Sequence, residues 1–398
     1  DEELTLSSSD YRTVSGNLDL QISWAPSALK GNTPITFTMT PLNGSGAIGE
    51  QVLFNGMIKP RYEYMINSIK LSTSYTDSQG QNYQPEFDGS KSGSGAKYSG
   101  KNKFEYTFVT SGTYTINFYV MDYGTRPLRT KNVAKTITIN DPDCPTIEQL
   151  AADIMADAPD TGSEYDIVLY AHDYILNHGQ YDYNSGFTED NEKIYIDNNY
   201  NTAFGSAGIW MGPSAILCRG LGICESYQRA LELLLAQKGI QCERVEGRTY
   251  SNHVWSRIKI DGEWTLVDLT WDDDSATTSR YNQHLYFGIT DDMMLKVHSD
   301  HKASATKPCT TFTNNYFLKS GDITAFSDSI KTKIQAELAK GSTDFTVPAD
   351  YNMYPNFYYI VYPLVAYYLT NTDGDMIAEG VEVSYTFNDT PSDKWNAQ

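Results

Sequence analysis

The spacing of apolar residues changes at one point in the chain, and this change limits what the chain can fold into. Before the turn-rich stretch Asp141-Pro-Asp-Cys-Pro145 the pattern is that of short strands separated by Gly, Ser, Asn and Pro clusters. After it, helical spacing begins, and strand patterns return later. This order predicts an α+β multidomain protein. Because 398 residues exceed one ordinary core, we expect two or three domains.

Residues 1–140 are predicted to form an all-β, immunoglobulin-like sandwich domain. In the run 104–121, apolar residues alternate with polar ones on both sides of Ser111-Gly112, which predicts a hairpin with one buried face. Two further runs, 35–42 and 133–140, also have strand character. The length and spacing of these strands suit an immunoglobulin-like sandwich.

Residues 141–310 are predicted to form an α+β domain, and residues 311–398 a small α+β extension. The strongest helix is expected from Glu225 to Lys238, before Gly239 as a C-terminal stop. A strand, the turn Asp261-Gly262 and a second strand follow, which is a strong hairpin pattern. In the extension we expect a helix at about 326–339 and strands near 344–347 and 381–387.

Cys224 comes immediately before the strongest predicted helix. A thiol in this position faces the positive end of the helix dipole and unpaired backbone N–H groups, which favour a thiolate and could stabilise an oxyanion. The position therefore indicates a nucleophile. The alternative is a buried cysteine that acts as a small hydrophobe, as lone cysteines usually do. The total of five cysteines is odd, so at least one thiol stays free.

The predicted hairpin brings a histidine and an aspartate together. A turn at Asp261-Gly262 pairs Ile260 with Glu263, and the same register places His253 opposite Thr270. Asp268 would then be a diagonal neighbour of His253, about 7–8 Å away between Cα atoms. For His253 alone, the alternative is a surface or core histidine whose hydrogen bonds are satisfied. For Asp268 alone, the alternative is a solvated carboxylate. With Cys224 they supply the nucleophile, base and orienting acid of a thiol acyl-transfer site.

Three motifs in the region 202–271 resemble the transglutaminase-like superfamily, in particular its bacterial extracellular branch. They are a Cys-x-x-Tyr helix start, a His-x-Trp strand and a Val-Asp-x-Thr-Trp-Asp strand. The matching residues are Cys224 and Tyr227, His253 and Trp255, and Val267, Asp268, Thr270, Trp271 and Asp272. The resemblance extends over about 144–308.

The resemblance implies a papain-like fold with Cys224, His253 and Asp268 as the catalytic triad. It also makes aromatic residues beside the motifs candidates for substrate binding: Tyr227, Trp255, Trp271 and Trp210. Trp210 lies in a stretch upstream of the nucleophile that is longer than in related sequences. It is a weak candidate for a second oxyanion donor, and the alternative is a packing aromatic.

No cofactor and no metal are expected. Five acidic residues offer oxygen ligands for calcium but lack the spacing of a known calcium loop, so a solvated acidic face is the favoured alternative: Asp272, Asp273, Asp274, Asp291 and Asp292. His298 and His301 lack a matching cysteine or carboxylate for a metal site.

If Cys224 is free, the other four cysteines allow three pairings. We favour Cys144 with Cys309 and Cys218 with Cys242.

The expected function is a secreted or surface-attached cysteine enzyme acting on peptide or amide bonds, with hydrolysis favoured over crosslinking. Substrates would be proteins, peptides or cell-wall peptides. A net charge of −20 argues against nucleic acid as a partner, and no apolar run suits membrane insertion. A start at Asp1 instead of Met suggests a removed leader. The alternative is a non-catalytic binding or adhesion protein with an inherited triad.

Overall fold

The structure is a computed structural model of the chain. It describes residues 14–15, 18–25, 29–42, 49–77, 80, 84–88, 100–125, 127–160, 162–182, 201–202, 209–248, 252–273, 282–348 and 357–385. Across these ranges the architecture is α+β, with several sheets and ten α-helices. No helix within them has both the length and the apolar composition needed to cross a bilayer.

The chain divides into two compact units, each built from two separate stretches. Unit one comprises Asp1–Ala158 and Asn177–Gln237, and unit two comprises Pro159–Leu176 and Lys238–Gln398. The predicted segments 1–140, 141–310 and 311–398 do not follow this division. Residues 177–237 pack with the N-terminal strands, and 311–398 pack with the later hairpin. The three-segment scheme stays a prediction.

Unit one contains two main sheets. The strands are β1 (Val14–Ser15), β2 (Leu20–Ser23), β3 (Pro34–Pro41), β4 (Gln51–Phe54), β5 (Met57–Pro60), β6 (Tyr62–Ser72), β7 (Gln84–Asp88), β8 (Lys103–Thr107), β9 (Gly112–Asp122), β10 (Arg129–Ile139), β11 (Gln180–Tyr181), β12 (Asn201–Thr202), β13 (Ile209–Trp210) and β14 (Leu221–Gly222). The orders are β1-β10-β9-β6-β7-β13 and β12-β8-β3-β2, while β4 pairs with β5 and β11 with β14.

The two main sheets form a sandwich through their buried faces. Phe37 of β3 and Phe118 of β9 are fully buried, with ring centroids 5.5 Å apart, so side chains from the two sheets meet in one core. Alternate residues of β9 and β3 face this core, as the period-two pattern predicts. The specifically immunoglobulin-like topology remains a prediction.

The predicted hairpin at 104–121 is wrong, although its buried face is correct. Strand β8 pairs with β3, whereas β9 pairs with β6 and β10, so the chain crosses from one sheet to the other between them. The Tyr114 hydroxyl donates to the Thr110 carbonyl over 2.8 Å at this crossing. Alternation determines which face of a strand is buried, but it does not identify the neighbouring strand.

The helices of unit one are α1 (Ile147–Ala156), α3 (Pro213–Arg219) and α4 (Cys224–Ala236). The predicted apolar stripe of α4 is confirmed, since Tyr227, Ala230, Leu231, Leu234 and Leu235 are all buried. Buried charges connect these helices to the sandwich. Arg219 bonds to Glu86 at 3.2 Å and to the Thr107 carbonyl at 2.8 Å.

Unit two is a four-stranded sheet with helices packed on it. Its sheet order is β15 (Cys242–Arg248), β16 (Asn252–Ile260), β17 (Glu263–Val267) and β18 (Phe287–Ile289). Its helices are α2 (Glu164–His178), whose last residues belong to unit one, α5 (Leu269–Asp272), α6 (Asp291–Val297), α7 (Tyr316–Lys319), α8 (Asp322–Ala339), α9 (Phe357–Tyr367) and α10 (Gly374–Ala378), with a 3₁₀ turn at Asn282–His284 and a π turn at Tyr368–Thr372.

The C-terminal extension differs from its predicted α+β character. Its described residues form helices α7 to α10, with α8 confirming the predicted helix, and no strand lies within 311–348 or 357–385. The apolar segment 357–367 is a helix, whose buried residues join the core beneath the sheet of unit two. Part of the predicted strand 381–387 is irregular chain, and its last two residues lie outside the described ranges.

The hairpin formed by β16 and β17 has the predicted register. Ile260 pairs with Glu263 and Ser256 pairs with Val267. Asp261 and Gly262 have φ values of 49° and 90°, the left-handed conformation that a two-residue hairpin turn requires. The expected pairing of His253 with Thr270 is wrong, because β17 ends at Val267 and the short helix α5 follows.

Candidate active site

Cys224 is the first residue of α4 and is half-buried. The backbone before it is tightly packed. The N–H of Ile223 donates to Ser226 Oγ over 3.3 Å, and a Cβ on Gly222 would lie only 2.6 Å from Ser226 Cβ. Glycine is therefore required at position 222 for this approach. The packing holds the thiol at the positive end of a buried helix.

An arginine neutralises the acidic residue next to Cys224. Arg229 Nε donates to Glu225 Oε1 over 3.0 Å, and Arg229 Nη1 donates to Asp77 Oδ2 over 2.9 Å. The same Nη1 lies 3.4 Å from Glu232 Oε2. All four side chains are buried. An unpaired carboxylate beside the thiol would oppose a negative charge on sulfur, and the pairing with Arg229 reduces that opposition.

His253 and Asp268 form a buried hydrogen-bonded pair. His253 Nε2 lies 2.8 Å from Asp268 Oδ2, and the residues are 6% and 0% exposed. His253 stands near the start of β16. Asp268 lies directly after β17, where it is the N-cap of α5 and accepts the Trp271 N–H at 3.2 Å through Oδ1. The capping role fixes the carboxylate, and the carboxylate in turn orients the imidazole.

Asp268 is held as a carboxylate despite its complete burial. Burial alone would raise its pKa, but the charge of His253 and hydrogen bonds from His253 and His298 outweigh burial, so the pKa lies well below the usual value. Asp268 is thus ionised at neutral pH. An ionised acceptor can both orient an imidazole and stabilise the imidazolium that forms during acyl transfer.

His298 is a member of this cluster that the sequence analysis missed. Its Nε2 lies 2.8 Å from Asp268 Oδ2, and the ring is fully buried, 4.4 Å from the Trp271 ring between centroids. Burial lowers the pKa of His298 more than Asp268 raises it. His298 therefore acts as a neutral N–H donor. The available signal was the apolar run around Asp268, formed by Leu266, Val267 and Leu269, since a carboxylate buried in such a run accepts more than one hydrogen bond.

The four predicted substrate-binding aromatics lie in different environments. Tyr227 and Trp255 are each 1% exposed, so protein covers almost all of their surface. Trp271 is half-buried, with its ring centroid 6.1 Å from that of His253. Trp210 is in β13, and its backbone pairs with Phe87, but its side chain is outside the described part of the chain. Among them, Trp271 retains accessible surface beside the imidazole.

Among the residues that the structure describes, two histidine–aspartate groups have donor atoms close enough to hold a metal ion. One is His253, Asp268 and His298, and the other is His172, Asp173 and His284. In each group the ligand atoms lie within 4.8 Å of one another. The first group contains the pair expected to act in acyl transfer, where both imidazoles bond to one carboxylate oxygen. The second group is outside the predicted site.

The prediction of a solvated acidic face is wrong for two of its five residues. Asp272 is fully buried and accepts from the Tyr286 N–H at 2.8 Å. Asp291 is 7% exposed and lies 2.7 Å from His301 Nε2. The view that His298 and His301 lack carboxylate partners is therefore also wrong. Asp274 lies outside the described residues.

All five cysteines are free thiols, so the proposed disulfide pairing is wrong. Burial raises the pKa of Cys218 to about 12 and that of Cys309 to about 12. Burial also raises the pKa of Cys144. These three thiols stay protonated at neutral pH and are poor nucleophiles.

The structure brings His253 and Asp268 together, and it adds His298 to them. These three residues belong to unit two, whereas Cys224 belongs to unit one. Unit one therefore contains a thiol at the start of a packed helix, and unit two contains an imidazole oriented by a buried carboxylate.

Comparisons with known proteins find similar solved structures, two of which are described below. Neither a protein-family model nor a curated relative matches the chain. A solved structure described as a TGase has 21% identity and a TM-score of 0.24, and the match covers 33% of this chain and 32% of that chain. Another, described as "a Putative Cysteine Protease from Cytophaga hutchinsonii", has 14% identity and a TM-score of 0.22, and the match covers 52% and 73%.

The chain is thus similar over part of its length to a structure described as a TGase and to one described as a putative cysteine protease. The matched region spans about a third of the TGase chain. Because both TM-scores are low, the functional argument rests on the residues of this chain.

Proposed function

We propose that the chain is a cysteine-dependent acyl-transfer enzyme of the transglutaminase-like type, acting on peptide or amide bonds. The observation that carries this proposal is the buried pair His253–Asp268, with 2.8 Å between Nε2 and Oδ2. When a hydrogen bond to an ionised carboxylate fixes one ring nitrogen of a histidine, the other nitrogen can exchange a proton with the reacting groups. Cys224, at the start of α4, is the proposed nucleophile.

In the proposed reaction the Cys224 thiol gives its proton to His253 Nδ1, and Sγ attacks the substrate carbonyl carbon. The C–S bond forms, and the tetrahedral intermediate collapses by breaking the C–N bond, while His253 Nδ1 gives the proton to the leaving amine. Water then attacks the thioester carbon and gives a proton to His253. The C–S bond breaks, the acid is released, and His253 returns the proton to sulfur, which restores the thiol. Asp268 remains ionised throughout and orients the imidazole.

The backbone N–H of Cys224 is the proposed donor to the oxyanion. The first N–H groups of a helix have no partner within the helix, so the N–H of Cys224 is suited to stabilise negative charge that develops beside its own sulfur. The closely packed Gly222 and Ser226 fix this peptide before substrate binds. Such preorganisation is worth about 3–4 kcal/mol per donor in comparable acyl-transfer sites.

Hydrolysis is proposed over crosslinking, and proteins, peptides or cell-wall peptides are the proposed substrates at the cell surface or outside the cell. Both reactions pass through the same thioester and differ in whether water or an amine attacks it. The alternative is a binding or adhesion protein with an inherited triad. The partial exposure of Cys224 favours an enzyme, since a nucleophile must be reachable.

The test compares the native protein with Cys224→Ala and with the control Cys218→Ala. Cys218 is also half-buried, but burial raises its pKa to about 12, so it should contribute little to alkylation. Each protein is treated with limiting iodoacetamide at neutral pH and the labelled peptide is identified by mass spectrometry. The proteins are then incubated with a peptide library, with and without a fluorescent primary amine.

We expect labelling and peptide turnover to vanish in Cys224→Ala and to persist in Cys218→Ala. Release of free acid without incorporation of the amine would support hydrolysis, and amine incorporation would identify crosslinking. Equal labelling of the native protein and Cys224→Ala would refute the nucleophile. Selective labelling of Cys224 without turnover of any peptide would favour the binding protein.

A further inference from the structure

A second cluster of buried histidines lies in unit two, apart from the residues assigned to acyl transfer. His172 Nδ1 lies 2.9 Å from Asp173 Oδ1, and His284 Nε2 lies 2.8 Å from the same oxygen. His172 is 0% exposed and His284 is 5% exposed. The Asp173 side chain is 41% exposed, so the cluster is buried on the imidazole sides and open to solvent on the carboxylate side.

A second carboxylate, that of Asp272, orients His172 through the ring nitrogen that does not face Asp173. Asp272 Oδ2 lies 3.1 Å from His172 Nε2, and Asp272 Oδ1 accepts the Tyr286 N–H at 2.8 Å. Asp272 is fully buried. In metalloproteins the ring nitrogen of a histidine that does not bind the metal commonly donates to a buried carboxylate, which sets the tautomer. His172 has this arrangement, with Nδ1 as the nitrogen left for a metal.

His284 is also held in a fixed orientation. Its ring stacks on Tyr316, with centroids 3.8 Å apart and an angle of 9° between the planes. The rings of His172 and His284 lie 5.1 Å apart between centroids. Two imidazoles that are fixed in place and converge on one carboxylate oxygen form a preorganised set of nitrogen and oxygen donors.

The charges of the cluster support a bound cation. His172 faces Asp173 through Nδ1 and Asp272 through Nε2, so two carboxylates converge on one buried imidazole. A divalent ion on neutral His172, neutral His284 and Asp173 would balance both carboxylates and leave His172 to donate to Asp272. Buried charge is costly unless it is compensated in this way.

The geometry points to a divalent transition-metal site formed by His172 Nδ1, Asp173 Oδ1 and His284 Nε2, with Asp272 as the outer-sphere partner of His172. Two imidazoles and one carboxylate suit zinc and its first-row neighbours better than calcium or magnesium, which prefer oxygen donors. Three protein ligands leave a coordination position for water on the exposed side of Asp173. The ion would join α2 to the 3₁₀ turn at Asn282–His284.

The experiment measures zinc binding by the full chain without an affinity tag. Protein is stripped with a chelator, titrated with Zn²⁺ by calorimetry, and analysed for retained metal after gel filtration. The main variant is Asp173→Asn, because this partly exposed residue can lose its charge with little disturbance of packing. The control is His178→Ala, which removes an exposed histidine from the same helix.

We expect the native protein and His178→Ala to bind about one zinc ion per chain, and Asp173→Asn to lose this site. Asp272→Asn should bind zinc about 10–100-fold more weakly, as expected for an outer-sphere partner. Zinc should also raise the melting temperature of the native protein but not that of Asp173→Asn. Circular dichroism checks that each variant is folded.

Two results would overturn the proposal. One is that the folded native protein binds no zinc, nor cobalt or nickel as substitutes, which would leave the cluster as a hydrogen-bonded imidazolium. The other is that Asp173→Asn binds zinc as tightly as the native protein, which would place the ion elsewhere. Neither result depends on whether Cys224 is a nucleophile, because binding and melting are measured without substrate.

Discussion

His298 Nε2 lies 2.8 Å from Asp268 Oδ2, the same oxygen that His253 contacts. A single buried carboxylate therefore holds two imidazoles, of which His298 is fully enclosed and His253 is 6% exposed. The enclosed histidine supports the carboxylate, and the other remains the candidate for chemistry.

Replacing His298 by Ala should destabilise the protein, since it removes a hydrogen bond from a buried charge. We expect the free energy of unfolding to fall by about 1–3 kcal/mol, as measured by urea denaturation at pH about 7. His298→Gln retains an N–H donor and should recover part of the loss. An Ala variant as stable as the native protein would show that Asp268 does not need this partner.

The neutrality of His298 should appear in the pH dependence of stability. Burial lowers its pKa in the folded state, whereas in the unfolded chain it takes up a proton below pH about 6.5. The unfolded state then binds more protons, so stability is lost as pH falls through this value. In His298→Gln this contribution should be missing. Parallel stability curves for the two proteins between pH about 7 and about 5 would contradict the assignment.

His253→Gln should slow the alkylation of Cys224 if His253 acts on the thiol as a base. Rates for the native protein and the variant are measured with limiting iodoacetamide at neutral pH by quantifying the labelled peptide. Equal rates in the two proteins would show that the histidine does not act on the thiol.

Gly222→Ala should disturb the nucleophile, whereas Gly239→Ala should affect stability alone. A Cβ at position 222 would meet Ser226 Cβ at 2.6 Å, two residues from Cys224. Such overpacking costs about 1–3 kcal/mol and should reduce alkylation of the thiol. At Gly239 the space is open, but φ is +71°, so Ala should cost about 1 kcal/mol and leave alkylation unchanged. Thermal denaturation measures the first effect and labelling the second.

Arg229→Met should be far more destabilising than Lys340→Met. Arg229 balances Glu225, Asp77 and Glu232 in the interior, and its removal leaves buried carboxylates uncompensated at a cost of about 3–5 kcal/mol. The ion pair of Lys340 with Glu337 is at the surface, where such pairs contribute little to stability. Urea denaturation of the two variants provides the comparison. Similar losses would indicate that the Arg229 network contributes little.

Local features of the sequence predicted much of the candidate site. Asp261-Gly262 requires the left-handed turn that sets the register of β16 and β17, so the proximity of His253 and Asp268 followed from neighbouring residues. The helix start at Cys224 likewise followed from spacing and from Gly239. The prediction failed where β17 ends, because Asp268 prefers to cap a helix instead of continuing the strand.

Contacts between residues distant in sequence were not predictable from these patterns. His298 reaches Asp268 across 30 positions, and His172 reaches Asp272 across 100. Neither separation has a periodicity that a single sequence reveals. The same limit explains the strands at 104–121, where alternation was correct but the pairing depended on β3 and β6.

The four-residue helix α5 begins after Asp268 and ends at Asp272, so one helical turn joins the carboxylate that orients His253 to the carboxylate that orients His172. A turn this short has little freedom to bend between its ends. A contact that fixes Asp272 therefore limits the movement of Asp268 as well, and any coupling between the two carboxylates would be mutual by thermodynamic linkage. Occupancy of one histidine cluster and order in the other would be coupled properties of unit two.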